Sequence, residues 1–140
     1  ESNPYIEVLF PFESLEGKIF KASNNTSIVT KLVFGASSFL FTGDIYKSTE
    51  DELLGLAKQW LDSDVLKVSH HGSKTSSGEE FIKKVSPQMA VISVGKDNKY
   101  GHPSSETLET LEKYAITVLR TDADGDIKIL SNGERLILNY

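Results

Sequence analysis

The sequence predicts an α/β (α+β) domain, and three observations carry that prediction. Short β-rich runs alternate with stretches whose apolar residues recur at helical spacing. Hydrophobic residues make up 39% of the chain, charged residues 25% and aromatics 9%, the composition of a folded globular protein rather than a disordered one. No internal repeat, low-complexity tract or long linker divides the 140 residues, so 1–140 reads as a single unit. A chain of this length can bury roughly two-thirds of its unfolded surface.

Taken in order, residues 5–10 are a β-rich run closed by Pro11. Residues 27–34 and 38–41 are two further strands with a turn at 35–37 between them. Residues 48–61 read as a helix, with Thr49 and Glu52 spaced as a capping box and Leu53, Leu56, Ala57 and Trp60 on one face. Residues 65–69 form a short buried strand. Ser77 and Glu80 offer a second capping box ahead of a helix carrying Phe81, Ile82 and Val85, which Pro87 stops. Residues 89–94 make the next buried strand, and a third helix follows Pro103 with Leu108, Leu111 and Tyr114 as its apolar stripe. Residues 117–119 are a strand, Asp124-Gly125 predicts a tight hairpin into 127–130, and Asn132-Gly133 marks a last turn before 136–138.

Fifteen Lys and Arg against 20 Asp and Glu leave a net charge of −5, which argues against a basic nucleic-acid coat. An anionic ligand would need local metal charge or a local basic cluster, for which Lys67, Lys74, Lys83, Lys84, Lys96 and Lys99 lie near in sequence. The absence of cysteine excludes disulfides, thiol catalysis and cysteine zinc fingers. No apolar run approaches the ~20 residues of a membrane span and no signal-peptide pattern is visible, so no membrane contact is expected from this chain.

The chemistry-bearing residues gather at predicted strand ends. His70 and His71 follow the 65–69 strand, His102 sits in a Gly-Pro loop after the 89–94 strand, and Asp44 ends the apolar strand that runs into Thr42-Gly43. A carboxylate and imidazoles together suit Zn²⁺, Mn²⁺ or Fe. Each also has an ordinary use, Asp44 as a turn or capping residue and His102 as a turn residue before Pro103. In an extended strand His70 and His71 would point to opposite faces, which leaves one of them inward. Other motifs fail: 35–39 lacks the second Gly of a nucleophile elbow, no phosphate-binding Gly-Lys loop occurs, and Asp122–Asp126 starts like a calcium loop but has Ile127 at its sixth position and Gly133 at its twelfth.

Four segments in this order carry a resemblance: Asn24-Asn25-Thr26-Ser27-Ile28-Val29, Thr42-Gly43-Asp44, Val68-Ser69-His70-His71-Gly72-Ser73 and Asn98-Lys99-Tyr100-Gly101-His102-Pro103. From about Asn24 to about Ile129, including the closing Thr121-Asp122-Ala123-Asp124-Gly125, the chain resembles the C-terminal half of the metallo-β-lactamase-fold domain of ComEC-type competence proteins and their free-standing relatives. The resemblance implies half of an αββα sandwich, a mixed sheet with flanking helices. It implies a site for two divalent ions, zinc or manganese, with Asp44 bridging them and His71 as a late histidine ligand. His70 and His102 become catalytic candidates that contact phosphate or move a proton, although His70 and His71 can exchange roles. Asn25, Ser73, Asn98 and Tyr100 are the substrate-binding candidates.

The superfamily's His-x-His-x-Asp-His signature belongs to the first half of the fold, and no histidine precedes Asp44 here. The chain is therefore expected to hold a half-site, with the N-terminal half of the domain as its missing partner. The start at Glu1 rather than Met, and an opening strand without an evident partner, fit that expectation. The implied activity of the parent is hydrolysis of phosphodiesters by a metal-bound hydroxide, with DNA as the substrate that competence relatives point to and an extracytoplasmic setting by the same resemblance. A small, lipid-linked or wall-linked phosphoester is the alternative substrate. A third expectation is that the fragment alone binds no metal, self-associates through its uncovered face and acts as an inert interaction module.

Overall fold

The computed structural model describes residues 3–139. A six-stranded sheet runs in chain order: β1 (Tyr5–Phe10), β2 (Val29–Phe34), β3 (Ser37–Phe41), β4 (Val65–Lys67), β5 (Met89–Ile92) and β6 (Thr117–Arg120). The first three strands are antiparallel and β3 through β6 are parallel. The parallel crossovers are made by α1 (Lys47–Leu56), α2 (Glu79–Val85) and α3 (Ser105–Lys113). Right-handed crossovers between strands laid down in one direction place all their helices on one face. The core lies there, with Leu40, Leu66, Ala90 and Ile92 of the sheet packed under Leu53, Phe81, Ile82, Val85 and Leu111 of the helices. This is the mixed α/β arrangement that the sequence predicts.

Among the described residues no helical layer covers the opposite face. Its rows follow from the register: Ile6, Leu32, Phe39, Val65 and Met89 in one, Val8, Thr30, Phe41, Lys67, Val91 and Leu119 in the next. Ile6 is 66% exposed, Val8 64% and Phe41 43%. A two-stranded hairpin, β7 (Lys128–Ser131) and β8 (Leu136–Asn139), covers part of this face, where Ile127 and Ile129 line a groove with Phe39, Phe41, Val65 and Val91. Among the described residues no helix is long and apolar enough to cross a membrane.

Several sequence expectations are corrected. The opening strand does have a partner, since β1 pairs antiparallel with β2. Asp124-Gly125 is not a hairpin turn: β6 pairs with β5, the chain winds into one helical turn, α4 (Thr121–Asp124), and β7 pairs with β8 across Asn132-Gly133. Local polar bonds direct that turn, because Asp124 accepts the Arg120 backbone N–H at 2.7 Å and the Thr121 hydroxyl bridges the backbone N–H and C=O of Val94 at 2.8 Å each. The first helix is shorter than the predicted 48–61. Gly55 weakens its last turn, and Lys31 donates from Nζ to the Trp60 carbonyl at 3.1 Å, holding the following segment in a separate turn. Leu53, Ala57 and Leu61 are buried, while Leu56 and Trp60 face solvent.

Neither predicted capping box forms. Tyr46 is the N-cap of α1 without a side-chain bond, and Thr49 and Glu50 are buried. The N-cap of α2 is Gly78. Its acceptor comes from another helix: the Glu50 carboxylate takes the backbone N–H of Ser77 at 2.6 Å and of Gly78 at 2.8 Å. Ser104 does cap α3, accepting the Thr107 N–H at 3.3 Å.

Candidate functional site

In a parallel sheet the loops leaving the carboxyl ends of the strands converge, and ligands bind there. Here the loops after β3, β4 and β5 bring Asp44, His70, His71 and His102 together. The β4 loop does not continue the strand, which overturns the expectation of opposed histidines. His70 (φ 48) and His71 (φ 55) both adopt the left-handed conformation, so both rings turn to the same end of the sheet, with centroids 6.4 Å apart. Two successive non-glycine residues in this region are costly, roughly 1–3 kcal/mol each, and persist only where surrounding contacts over-determine them. Those contacts are visible. The His70 N–H donates to the Gly43 carbonyl at 3.1 Å, and the Ser76 hydroxyl reaches the carbonyls of Ser69 and Ser73 at 3.1 and 3.0 Å. Ser69 donates to Thr42 Oγ1 at 2.9 Å, and Glu50 fixes Ser77 and Gly78 behind the loop.

The two imidazoles differ in what their nitrogens have left to offer. His71 Nδ1 lies 2.6 Å from the Ser93 carbonyl, an acceptor, so Nδ1 carries the proton and donates. In the neutral ring Nε2 then keeps the lone pair, and it lies 3.6 Å from Asp44 Oδ1. His70 has both nitrogens engaged at 3.4 Å, Nε2 with Asn24 Nδ2 and Nδ1 with Thr75 Oγ1, and its ring meets Tyr46 edge-on. A carbonyl behind Nδ1 with Nε2 free is the usual posture of a metal-ligating histidine. Two donors on one tetrahedral ion stand roughly 3.3 Å apart for bonds near 2 Å. Asp44 and His71 thus fit one edge of a coordination sphere. They do not complete it: among the described residues no group of three or more His, Asp or Glu side chains could hold a metal ion.

Lys67 was noted in the sequence only as one of several nearby lysines, but its Nζ is 3.9 Å from Asp44 Oδ1 and donates to the Gly43 carbonyl at 3.3 Å. Burial pushes this ammonium's pKa down, and the Asp44 charge partly offsets that. His102 follows the loop from β5, and its ring lies 5.9 Å from that of His70. Desolvation, then the neighbouring His70 and His71, holds its pKa below the ordinary imidazole value. Gly72 lets the two histidine loops meet. At φ +80 its missing Cβ would stand 2.7 Å from Pro103 Cβ, so any side chain would force the loops apart.

The substrate-binding candidates divide. Tyr100 is 82% exposed and stacks on His102, with centroids 5.7 Å apart and planes 19° from parallel. Asn98 is internally occupied: Oδ1 accepts the N–H of Tyr100 and of His102, and Nδ2 donates to the carbonyls of Gly95 and His102. Ser73 is buried and shares its hydroxyl with Thr75. Asn25 lies in a turn at Ser23–Thr26 with Oδ1 buried and unpartnered, while its neighbour Asn24 is the asparagine that meets His70. Glu50, Thr75 and Asn24 are the supports that sequence reasoning missed. Glu50 and Thr75 carry no local sequence signal, since their partners lie on other elements or appear only once the loop folds back.

Comparison with known proteins identifies the family of the fold. The metallo-beta-lactamase superfamily profile matches residues 3–96. The chain is 45% identical over 107 residues to ComE operon protein 3 of Bacillus subtilis, covering 76% of this chain and 14% of that protein. It is 39% identical over 105 residues to competence protein ComA of Neisseria gonorrhoeae, covering 75% and 15%. It is 33% identical over 127 residues to recombination protein 2 of Haemophilus influenzae, covering 91% and 16%. The chain thus spans 14–16% of the length of these relatives.

Proposed function

The chain belongs to the metallo-beta-lactamase superfamily, and from that premise we propose that it supplies one half of the catalytic domain of a competence-linked hydrolase that cleaves phosphodiesters, with DNA as substrate. The observation that carries this reading is the Asp44–His71 pair, in which His71 Nε2, with Nδ1 turned to the Ser93 carbonyl, faces a carboxylate oxygen at 3.6 Å where three strand-end loops converge.

In this reading Asp44 and His71 hold divalent metal, zinc or manganese, together with donors from outside the chain. Such ions, when bound, supply Lewis acidity and lower the pKa of a water molecule. The remaining roles belong to the chain's own side chains. The Ser93 carbonyl keeps His71 in the tautomer that offers Nε2. Lys67 sets a positive charge beside Asp44 and gives a phosphate local attraction on an otherwise acidic protein. His102, whose pKa burial lowers, presents an N–H to a phosphoryl oxygen, and His70 stands beside it.

The partial donor set supports a second reading for the chain by itself, as a module inert until a partner segment completes the site. Metal titration with elemental analysis tests both readings. Asp44→Ala and His71→Ala are each expected to abolish metal uptake and hydrolysis in the completed domain, while the 140-residue chain alone binds metal weakly. Full hydrolytic activity in the Asp44→Ala form of the completed domain would overturn the assignment. Parallel assays on single-stranded DNA and on small or lipid-linked phosphodiesters decide the substrate.

A further inference from the structure

A cavity of about 460 Å³ adjoins the proposed metal edge, and His71, Gly95, Tyr100, His102 and Thr121 contribute to its walls. Its backbone groups are largely satisfied from within, while His71 Nε2 and the His102 ring nitrogens face it without a hydrogen-bond partner among the described residues. The Ser93 carbonyl takes His71 Nδ1, the Val94 N–H and C=O are bridged by Thr121, and the Gly95 carbonyl receives Asn98. Asn98 itself is fully engaged along the loop. At the rim stands Tyr100, one ring face supported by His102 and the rest open to solvent at 82% exposure. Lys96 and Lys99 are exposed on the same loop.

An aromatic ring left in water beside a reaction centre, with a second ring bracing it, offers a flat partner its face. We propose that Tyr100 is a stacking platform for the nucleobase next to the scissile phosphate, and that this subsite is tolerant of base identity. The inference rests on the phosphodiester reading above and extends it to the substrate class: a nucleotide strand whose bases are unstacked at this point. Every base presents a π-face, so stacking gives affinity without sequence readout, and the flanking lysines follow the backbone. Asn98 acts through the backbone, holding Tyr100 and His102 in register by accepting both of their N–H groups.

The test is binding, so it needs neither metal nor turnover. Fluorescein-labelled oligothymidylate, oligodeoxyadenylate and an abasic strand of equal length are titrated into the chain, and anisotropy is read. Tyr100→Ala is expected to weaken binding of both base-bearing strands roughly 5- to 150-fold, the range seen for loss of one stacked base, and to leave the abasic strand unchanged. Tyr100→Phe keeps the ring and is expected to keep the affinity. The two base-bearing strands should differ by only a few-fold. Tyr100 is exposed, so the variants are expected to retain the wild-type amide spectrum. The proposal is overturned if wild type binds neither strand, if the abasic strand binds as tightly as the others, or if Tyr100→Ala has no effect. Asp44→Ala in the completed domain separates the two levels. Loss of hydrolysis with the Tyr100 effect intact supports both, whereas retained hydrolysis overturns the metal reading and leaves the stacking result standing.

Discussion

Glu50 is the residue whose removal should cost the histidine loop most. Its side chain is 1% exposed, and its two carboxylate oxygens accept the backbone N–H of Ser77 at 2.6 Å and of Gly78 at 2.8 Å. Hydrogen bonds to a charged acceptor contribute about 1.5–3 kcal/mol each, and a buried N–H left without a partner costs about 1–3 kcal/mol. Glu50→Ala removes both bonds and opens a void, so a loss of roughly 3–5 kcal/mol is expected, against a total stability of about 5–15 kcal/mol for a domain. Glu50→Gln keeps the shape and one acceptor but turns an NH₂ towards the other N–H, and about 2 kcal/mol should go, or roughly 4–8 °C in Tm. The assay is urea and thermal unfolding followed by circular dichroism, with amide spectra to watch Ser77 and Gly78. Burial raises the Glu50 pKa despite its N–H donors, Ser69 and Lys47. The folded state therefore binds this proton more tightly than the unfolded chain, and between the unfolded value near 4.5 and the folded one stability gains as pH falls. Glu50→Gln lacks that contribution, so the gap between wild type and variant should widen on acidification towards pH 4.5. Wild-type stability in Glu50→Gln, with unshifted Ser77 and Gly78 amides, would refute the argument.

Gly72→Ala places a Cβ 2.7 Å from Pro103 Cβ at φ +80, so a loss of about 1–3 kcal/mol is expected; its diagnostic sign is weakened contact between the His70 and His102 rings in nuclear Overhauser spectra. Gly35→Ala is harsher, since its Cβ would sit 2.1 Å from the Gly133 carbonyl oxygen that accepts the Ala36 N–H. The β7–β8 hairpin should detach, and faster hydrogen exchange at Ala36 would report it; unchanged protection there would contradict the contact. The double variant Val8→Glu, Phe41→Glu changes two residues of the partly covered sheet face; Val8 should cost about 0.5 kcal/mol at most, and Phe41, which also packs towards Ile129, about 1–2 kcal/mol. Sedimentation velocity should show reduced self-association, and an unchanged distribution would mean that this face does not mediate it.

The α/β alternation was legible because each buried strand is a short apolar run and each helix repeats its apolar residues at the right spacing. The stripe of Leu108, Leu111 and Tyr114 is buried or partly buried in α3 as its spacing requires. Capping boxes misled at Thr49 and at Ser77, because a buried glutamate from α1 caps α2 across space and no local pattern encodes a cap from another helix. Asp124-Gly125 misled for a related reason. The dipeptide permits a hairpin, but Asp124 and Thr121 bond back to Arg120 and Val94 and wind the chain the other way. At the site, sequence located the strand-end histidines and Asp44 but could not orient them. Alternation assumes extended backbone, and His70 and His71 are both left-handed. The roles of Lys67 and Glu50 depend on contacts 23 and 27 positions away, Lys67 with Asp44 and Glu50 with Ser77, which only the folded chain supplies.

The unfinished sheet and the unfinished metal edge meet at one residue. Lys67 belongs to the uncovered row of the sheet, beside Phe41 and Val91, yet its Nζ reaches Asp44 Oδ1. The open face therefore runs up to the site at the ends of the strands, and a layer packed on Ile6, Val8 and Phe41 would end near the Asp44–His71 pair. On the proposed reading a single partner segment does two jobs: it removes that apolar surface from water and delivers the remaining donors. Metal affinity and face burial should then be coupled, because apolar contact holds the donors in place before any ion binds. Val8→Glu, Phe41→Glu touches neither Asp44 nor His71. In a complex reconstituted with the covering segment it should nevertheless weaken metal binding, because the segment raises metal affinity by the same factor by which metal strengthens association of the two parts. Metal affinity indifferent to the sheet face would mean that the two deficits have separate remedies.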